Sequence, residues 1–540
     1  MDAFATTLSA NIDSGARERK TAPCARSWQP TIALLLTLLG PAYADAQEGA
    51  AKDQISGAKP APEATERRIV ISASLPAPSV TRHEIALADG PLQYTATAGA
   101  LPVRELSGRV LGEIAYIAYQ RISAGEKADQ RRRPVVFAFN GGPGAASAYL
   151  NVGAFGPKRV AFGRPGDAPS APPNLVDNQE TWLNFTDLVF IDPVGTGFSH
   201  FAPGVDDARG TLWSVGGDYR SLSRFIVNWL RANDRIGSPV YLAGESYGGF
   251  RAPKIAGELQ TSDGVGVSGL ILISPVLDFT FQRDARDTPL KWAVTLPSLA
   301  ATHLEATRGF SPDRLAEAEA YAAGEYLTDL MKGPRDPQAR ARIIERVSTL
   351  TGLDRDLVER RGGKIDSGTF LREAGRKELA VGSPYDGAVA ALDPEPDAAR
   401  SQAPDAVLEA ATAPLTSAML NHYSNDLKWS PDGRYMLLNS EVSRRWNYGS
   451  GRGDRESISE LRKLLALDPH VRVLVAHGYS DLVSPYLESK LLLDQLPALG
   501  DPRRVKLSLF EGGHMFYSRE TSRAGLRDAA RQIVEPRQGL

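Results

Sequence analysis

Val240-Tyr241-Leu242-Ala243-Gly244-Glu245-Ser246-Tyr247-Gly248-Gly249 is the stretch on which the reading of this chain turns. Val240 to Ala243 is a short apolar β run, and a helix-compatible segment ending near Leu259 follows the glycines. Between them, Gly244-Glu245-Ser246-Tyr247-Gly248 fits G-x-S-x-G, in which a serine stands on a sharp strand-to-helix turn. Side chains at 244 and 248 would collide with the backbone folding past them, so both ends need glycine. The pentapeptide alone matches many glycine-rich turns. Its place between strand and helix makes Ser246 a candidate nucleophile.

The same alternation runs outward in both directions. Pro134 to Phe139 is an apolar run ending in Asn140-Gly141-Gly142-Pro143-Gly144, and Leu188 to Ile191 ends in Asp192-Pro193-Val194-Gly195-Thr196-Gly197. Asp218 to Arg231 places Leu222, Phe225, Ile226 and Leu230 on one helical face, and Leu270 to Ile273 ends at Ser274-Pro275. Short apolar strands alternating with helices predict an α/β fold, with a mostly parallel sheet covered on both faces. Shorter β-rich runs precede it at Ile69 to Ile71, Gln93 to Thr97 and Ile114 to Tyr119. From Arg283 to about Ser430 the strand signal fades into Ala-, Arg- and Glu-rich helical stretches such as Leu315 to Leu330. Strand signals return at Val471 to Ala476 and Val505 to Phe510, before a helical tail from Glu520 to Ile533.

Length alone allows about three or four domains, but one α/β domain with a helical insertion explains this order better. The expected division is a core over 69–282, a helical cap over 283–430 and the rest of the core over 431–540. The chain has 540 residues, a formal net charge of −2 and 42% hydrophobic residues. No basic surplus points to nucleic acid, and no acidic tail points to a basic partner. The single cysteine, Cys24, stands in the N-terminal segment. Beyond that segment the sequence offers no disulfide, no cysteine-ligated metal and no thiol nucleophile.

Residues 1–46 read as an export signal. Arg17, Arg19, Lys20 and Arg26 give a positive start, Ile32 to Leu39 an apolar stretch, and Ala42-Tyr43-Ala44 a small-x-small cleavage site. The apolar run is too short to span a bilayer, so no stable membrane insertion is expected once the signal is removed. Residues 47–68, rich in Ala, Pro and charge, read as a linker. The destination implied is periplasmic or extracellular.

A serine hydroxyl needs a base, and the base an orienting acid. Three late histidines are candidates. His514, in Glu511-Gly512-Gly513-His514, follows the strand Val505 to Phe510 and can reach back over the sheet. His477, at the end of the preceding strand, is second, and His470 precedes that strand, at the opposite edge. Asp481, in Gly478-Tyr479-Ser480-Asp481-Leu482-Val483, lies between Ser246 and His514 in chain order and is the first choice for the acid. Asp278 is the other candidate, and a turn aspartate is its plainer reading. The backbone N–H groups of Gly142 and Tyr247 are candidates for an oxyanion hole, because glycines let the backbone approach a reacting carbonyl.

Other patterns fail. Gly264-Val265-Gly266-Val267-Ser268-Gly269 spells G-x-G-x-x-G but precedes its strand, and His83-Glu84 lacks a second histidine because position 87 is Leu. Arg452-Gly453-Asp454 reads as a chance loop tripeptide. Neither a metal nor a cofactor is implied.

Four separated segments together resemble the serine carboxypeptidases. They are Asn140 to Pro157 (NGGPGAASAYLNVGAFGP), Asp192 to Ser199 (DPVGTGFS), Gly244 to Gly249 (GESYGG), and Gly512 to Met515 (GGHM) preceded by Asp481. Trp292 to Thr302 and Arg445 to Gly449 are similar to bacterial members. The resemblance implies an α/β-hydrolase fold and peptide substrates cut at the C-terminus. It maps Ser246, Asp481 and His514 onto a catalytic triad, and Gly142 with Tyr247 onto the oxyanion hole. Asn140, the Gly141 backbone and Glu245 map onto the site that holds the substrate's C-terminal carboxylate. Such a pair of carboxylates shares one proton, which favours binding at low pH. Two positions depart from the family: Ala154 replaces a second carboxylate-binding Glu, and Ala145 replaces a cysteine. The first departure motivates a second reading, an esterase or acyltransferase on the same scaffold. A binding protein that kept the fold without catalysis is a third, and the intact Ser, Asp and His argue against it.

Overall fold

Five apolar residues in a row, Val135–Phe139, form a fully buried strand whose side chains alternate between two cores. Val136 and Ala138 join one cluster of buried residues, and Val135, Phe137 and Phe139 join the other. A run apolar at every position is what a strand covered on both faces requires. The computed structural model describes residues 74–105, 107–122, 131–161, 174–205, 207–281, 287–398, 401 and 403–535. The expected export signal, the linker and the β run Ile69 to Ile71 lie outside them.

Ten strands form one sheet: β1 (Ser79–Leu87), β2 (Gly90–Arg104), β3 (Val110–Arg121), β4 (Val135–Phe139), β5 (Asp187–Ile191), β6 (His200–Phe201), β7 (Val240–Glu245), β8 (Gly269–Ile273), β9 (Arg472–Gly478) and β10 (Val505–Phe510). Their order is β1-β2-β3-β5-β4-β7-β8-β9-β10, with β6 paired to β3. The pairs from β5 to β10 are parallel, while β1, β2, β3 and β6 add an antiparallel flank. β4 and β7 lie side by side, with Phe139 opposite Gly244. That register brings the Asn140–Gly144 loop against the Ser246 turn.

Helices α1 (Val215–Ala232), α2 (Tyr247–Glu258), α4 (Ile458–Leu467), α5 (Tyr486–Asp494) and α6 (Glu520–Val534) pack on or beside the sheet, whereas α3 (Pro289–Ala306) packs against α5 and the helices that follow it. The α1 start is capped by Ser214, whose Oγ accepts from the Gly217 N–H at 3.1 Å. The α1 face predicted from Leu222, Phe225, Ile226 and Leu230 is buried, together with Trp229. Among the described residues between 287 and 430, helices predominate, and Trp292, Leu299, Tyr326 and Phe370 share a core with Tyr486 of α5. One antiparallel hairpin, Ala380–Ser383 with Asp386–Leu392, interrupts them. The sequence carries little strand signal there, because Ala and Gly have little β preference. No helix among the described residues is long and apolar enough to cross a membrane.

Candidate active site

Ser246 joins β7 to α2 with φ 59° and ψ −121°, a backbone region that non-glycine residues rarely occupy. Its N–H donates to the Ile273 carbonyl at 2.9 Å, fixing the turn to the end of β8. Two glycines make the turn possible. A Cβ on Gly244 would lie 2.1 Å from the Gly248 carbonyl oxygen, and one on Gly248 would lie 2.5 Å from the Phe139 carbonyl oxygen. The same crowding explains Gly141, where a Cβ would come within 2.5 Å of the Tyr247 nitrogen. The Asn140–Gly144 loop therefore lies directly on the Ser246 turn. Tyr247 is the first residue of α2, so its N–H has no acceptor within the helix and is free to donate to a bound oxygen.

His514 and Asp481 come from the loops after β10 and β9. His514 Nδ1 lies 2.8 Å from Asp481 Oδ2, and both side chains are buried. A carboxylate accepts only, so this contact places the proton on Nδ1 and leaves Nε2 as the basic nitrogen. Asp481 Oδ1 accepts from the Val483 and Ser484 N–H groups, each at 2.9 Å. Ser484 Oγ lies 2.8 Å from Asp481 Oδ2, 3.0 Å from the Ser274 carbonyl and 3.2 Å from His514 Nδ1. Ser274 Oγ in turn donates to the His514 carbonyl at 2.8 Å. Ser246 and His514 are thus both tied to consecutive residues, Ile273 and Ser274, at the end of β8. Burial pulls the His514 imidazole down, but the Asp481 charge and hydrogen bond, with Glu245, outweigh it and raise it above its ordinary value.

Glu245 is buried, and its Oε2 accepts from Asn140 Nδ2. The Tyr517 hydroxyl lies 2.9 Å from each of its two oxygens. Burial pushes the Glu245 carboxyl up to about 7; His514, Tyr517 and Asn140 pull against that, and Asp481 adds to it. Asn140 Oδ1 accepts from the Leu150 N–H at 3.1 Å, so its amide is held at both ends. No cation forms an ion pair with Glu245 among the described residues.

The other candidates are placed elsewhere. His477 is buried at the end of β9 with Nε2 2.8 Å from Ser489 Oγ, and burial drives it down to about 4. His470 precedes β9 and lines a hollow with Tyr241 and Arg472, at the start of the strands. Asp278 Oδ1 accepts from the Thr280 N–H at 2.8 Å, as a turn aspartate does. Asp454 is engaged by the Gly451 N–H at 3.0 Å. No group of metal-binding side chains occurs among the described residues.

Three further contacts at this site are not evident in the sequence. Ser484 bridges the His–Asp pair, Tyr517 braces Glu245, and the hairpin turn at Tyr385–Asp386 supports both loops. The Tyr385 carbonyl accepts from the His514 N–H, and its ring lies edge-on to the imidazole at 5.4 Å. Asp386 Oδ1 accepts from Ser480 Oγ at 2.9 Å, and the Gly387 N–H donates to the Ser480 carbonyl at 3.1 Å. Tyr517 stands three residues past His514, a spacing visible in the sequence; its partner 272 positions earlier is not.

A serine on a strained turn after a central parallel strand, with a buried His–Asp pair on the loops beyond it, marks an α/β-hydrolase. The prohormone-processing carboxypeptidase Kex1 of Saccharomyces cerevisiae shares this fold, with a TM-score of 0.51 over 82% of this chain and 91% of that one, at 17% identity. Residues 116–296 match the family profile described as serine carboxypeptidase. Serine carboxypeptidase-like 36 of Arabidopsis thaliana is 31% identical over 156 residues, covering 28% of this chain and 30% of that protein. The pheromone-processing carboxypeptidase KEX1 of Yarrowia lipolytica is 30% identical over 174 residues, covering 31% of this chain and 26% of that one. The matched region spans less than a third of the length of either relative.

Proposed function

We propose that the protein is a serine carboxypeptidase releasing C-terminal residues from peptides through an acyl-enzyme on Ser246. The observation that carries this reading is the buried Glu245 carboxyl, one residue before the strained serine and held by two neutral donors. A carboxyl left without a cation in a buried site takes up a proton readily. In that form it can donate to a second carboxylate, the group that distinguishes a peptide's end from its middle.

Neutral His514 takes the proton from Ser246 Oγ as the oxygen attacks the last peptide carbonyl, and Asp481 stabilises the imidazolium. The Gly142 and Tyr247 N–H groups receive the oxyanion, one such donor contributing about 3 kcal/mol of transition-state stabilisation. His514 then gives its proton to the departing amine, and the C-terminal residue leaves. Water repeats the sequence on the ester, returning the serine. Asn140, the Gly141 backbone and protonated Glu245 hold the substrate carboxylate throughout. The carboxypeptidases among the similar proteins support this assignment.

Residues 1–46 are assigned as an export signal, 47–68 as a linker, and 283–430 as a cap over the core, with the mature protein periplasmic or secreted. The test of function has two arms. A fluorophosphonate probe should label Ser246 and spare Ser246→Ala, and peptides with free termini should lose single C-terminal residues. Internal fragments would contradict exopeptidase action. Ala154 favours a second reading, an esterase or acyltransferase; a peptide amide cleaved as fast as its free acid would support that instead.

A further inference from the structure

The Tyr517 hydroxyl has no role in the mechanism above, yet it is buried and spends its hydrogen bonds on one group. It lies equally far, 2.9 Å, from both oxygens of Glu245. It belongs to the short 3-10 turn Phe516–Ser518, three residues beyond His514. The turn is anchored independently of Glu245. Arg523 Nη1 donates to the Tyr517 carbonyl at 3.0 Å, and the Phe516 ring stacks on Phe510 at 4.9 Å. The Tyr517 ring faces the Asn151–Phe155 segment, where Gly153 leaves room: a Cβ there would lie 3.7 Å from the ring. This is the segment that carries Ala154, so no acid from it accompanies Glu245.

We propose that Tyr517 is a positioning residue for Glu245: its hydroxyl orients the carboxyl group and supplies the neutral donor that balances its charge. The proposal rests on the carboxypeptidase reading for its consequence in turnover, but not for its effect on Glu245 itself. Asn140 on the loop after β4 and Tyr517 on the loop after β10 grip the carboxyl from two elements. The other titratable groups facing it are His514, Asp481, Tyr149 and Tyr385. Of these only His514 can carry positive charge, and it sits in the same loop as Tyr517. A tyrosine hydroxyl donates to an ionised carboxylate, yet it can also accept from a protonated one. The contact therefore survives both protonation states, so Glu245 can change state without losing its orientation. Removing the hydroxyl removes a donor that favours the charged form, so Glu245 should hold its proton to higher pH.

Tyr517→Phe keeps the ring, its packing and the backbone bond to Arg523. Carbon-13 glutamate NMR of the ligand-free protein, with the Glu245 signal assigned by Glu245→Gln, should show its midpoint rising by about one pH unit in Tyr517→Phe. In turnover, the falling alkaline limb of kcat/KM for a free-acid peptide should move up by a similar amount, while an ester substrate keeps its profile. A Glu245 midpoint unchanged in a folded Tyr517→Phe overturns the proposal. A shifted midpoint in a protein that cleaves peptide amides and acids alike leaves Tyr517 its role and removes the carboxypeptidase reading instead. If Tyr517→Phe fails to fold, the wild type still decides: absence of a deuterium-sensitive infrared coupling between the Glu245 carboxyl and a tyrosine hydroxyl, sought with ring-labelled tyrosine, would overturn the proposal too.

Discussion

Burial drives the Glu245 carboxyl up to about 7, while the Asp481 charge outweighs burial at His514 and raises the imidazole. The two groups make opposite demands on pH. In the proposed mechanism His514 must be neutral to accept the serine proton, so activity should rise as pH climbs through its raised value. Glu245, in the same proposed mechanism, must be protonated to meet a substrate carboxylate, so free-acid cleavage should fall as pH climbs past about 7. Profiles of kcat/KM should show a bell for a free-acid peptide and a single rising limb for an ester; matching profiles would remove Glu245 from substrate recognition. The same carboxyl affects stability. Its folded value lies above the ordinary 4.5, so the folded state binds more protons between 4.5 and about 7 and loses stability across that window as pH rises. The loss amounts to about 3 kcal/mol, and Glu245→Gln should lack most of it in urea melts compared at pH 4.5 and 8. If Ser246, His514 and Asp481 act as proposed, Ser246→Ala should lower kcat about a millionfold, and Asp481→Asn about ten-thousandfold with little change in melting temperature.

The strand-loop-helix unit from Val240 to Glu258 shows what the sequence could reveal about an element. Apolar runs, glycines at both ends of the serine turn and the Asn140–Gly144 loop were legible because each is a local pattern with a local cause. Gly248→Ala should test that cause, since its Cβ would meet the Phe139 carbonyl oxygen at 2.5 Å. Overpacking against backbone should cost about 1–3 kcal/mol, and more in kcat than a surface glycine such as Gly210, which has open space. The order of His514 after β10 and Asp481 after β9 was legible too, because a parallel sheet sends the ends of its strands to one edge. Tyr385, Ser484 and Tyr517 were not. Their contacts join residues far apart in the chain or depend on a serine rotamer, and no periodicity records either. The hairpin Ala380–Leu392 was hidden because its alanines and glycines carry weak β preference, so pairing and support from neighbouring loops decide its form.

Across the whole molecule, Arg519 links parts far apart in sequence. It bonds to Glu305 of α3, reaches Asp386 of the hairpin at 2.9 Å, and lies 3.5 Å from Glu511 after β10. The arginine is largely buried, so its removal leaves acidic groups short of a partner. Arg519→Ala should destabilise the protein by about 3 kcal/mol and raise KM more than Arg527→Ala, whose partner Asp528 is exposed. Both effects would be read from denaturant melts and peptide kinetics. The hairpin it holds also carries the Tyr385 carbonyl that accepts from the His514 N–H, which connects the hairpin to His514. In the proposed mechanism this assembly selects a free C-terminal carboxylate through Glu245 and cleaves beside it with Ser246. Its most direct test is the ratio of kcat/KM for one peptide acid over its C-terminal amide at pH 6, in wild type, Glu245→Gln and Ser246→Ala. The expected ratio is about one hundred in wild type and near one in Glu245→Gln, with no cleavage of either substrate by Ser246→Ala. Equal rates on acid and amide in the wild type, or turnover that survives without Ser246, would contradict it.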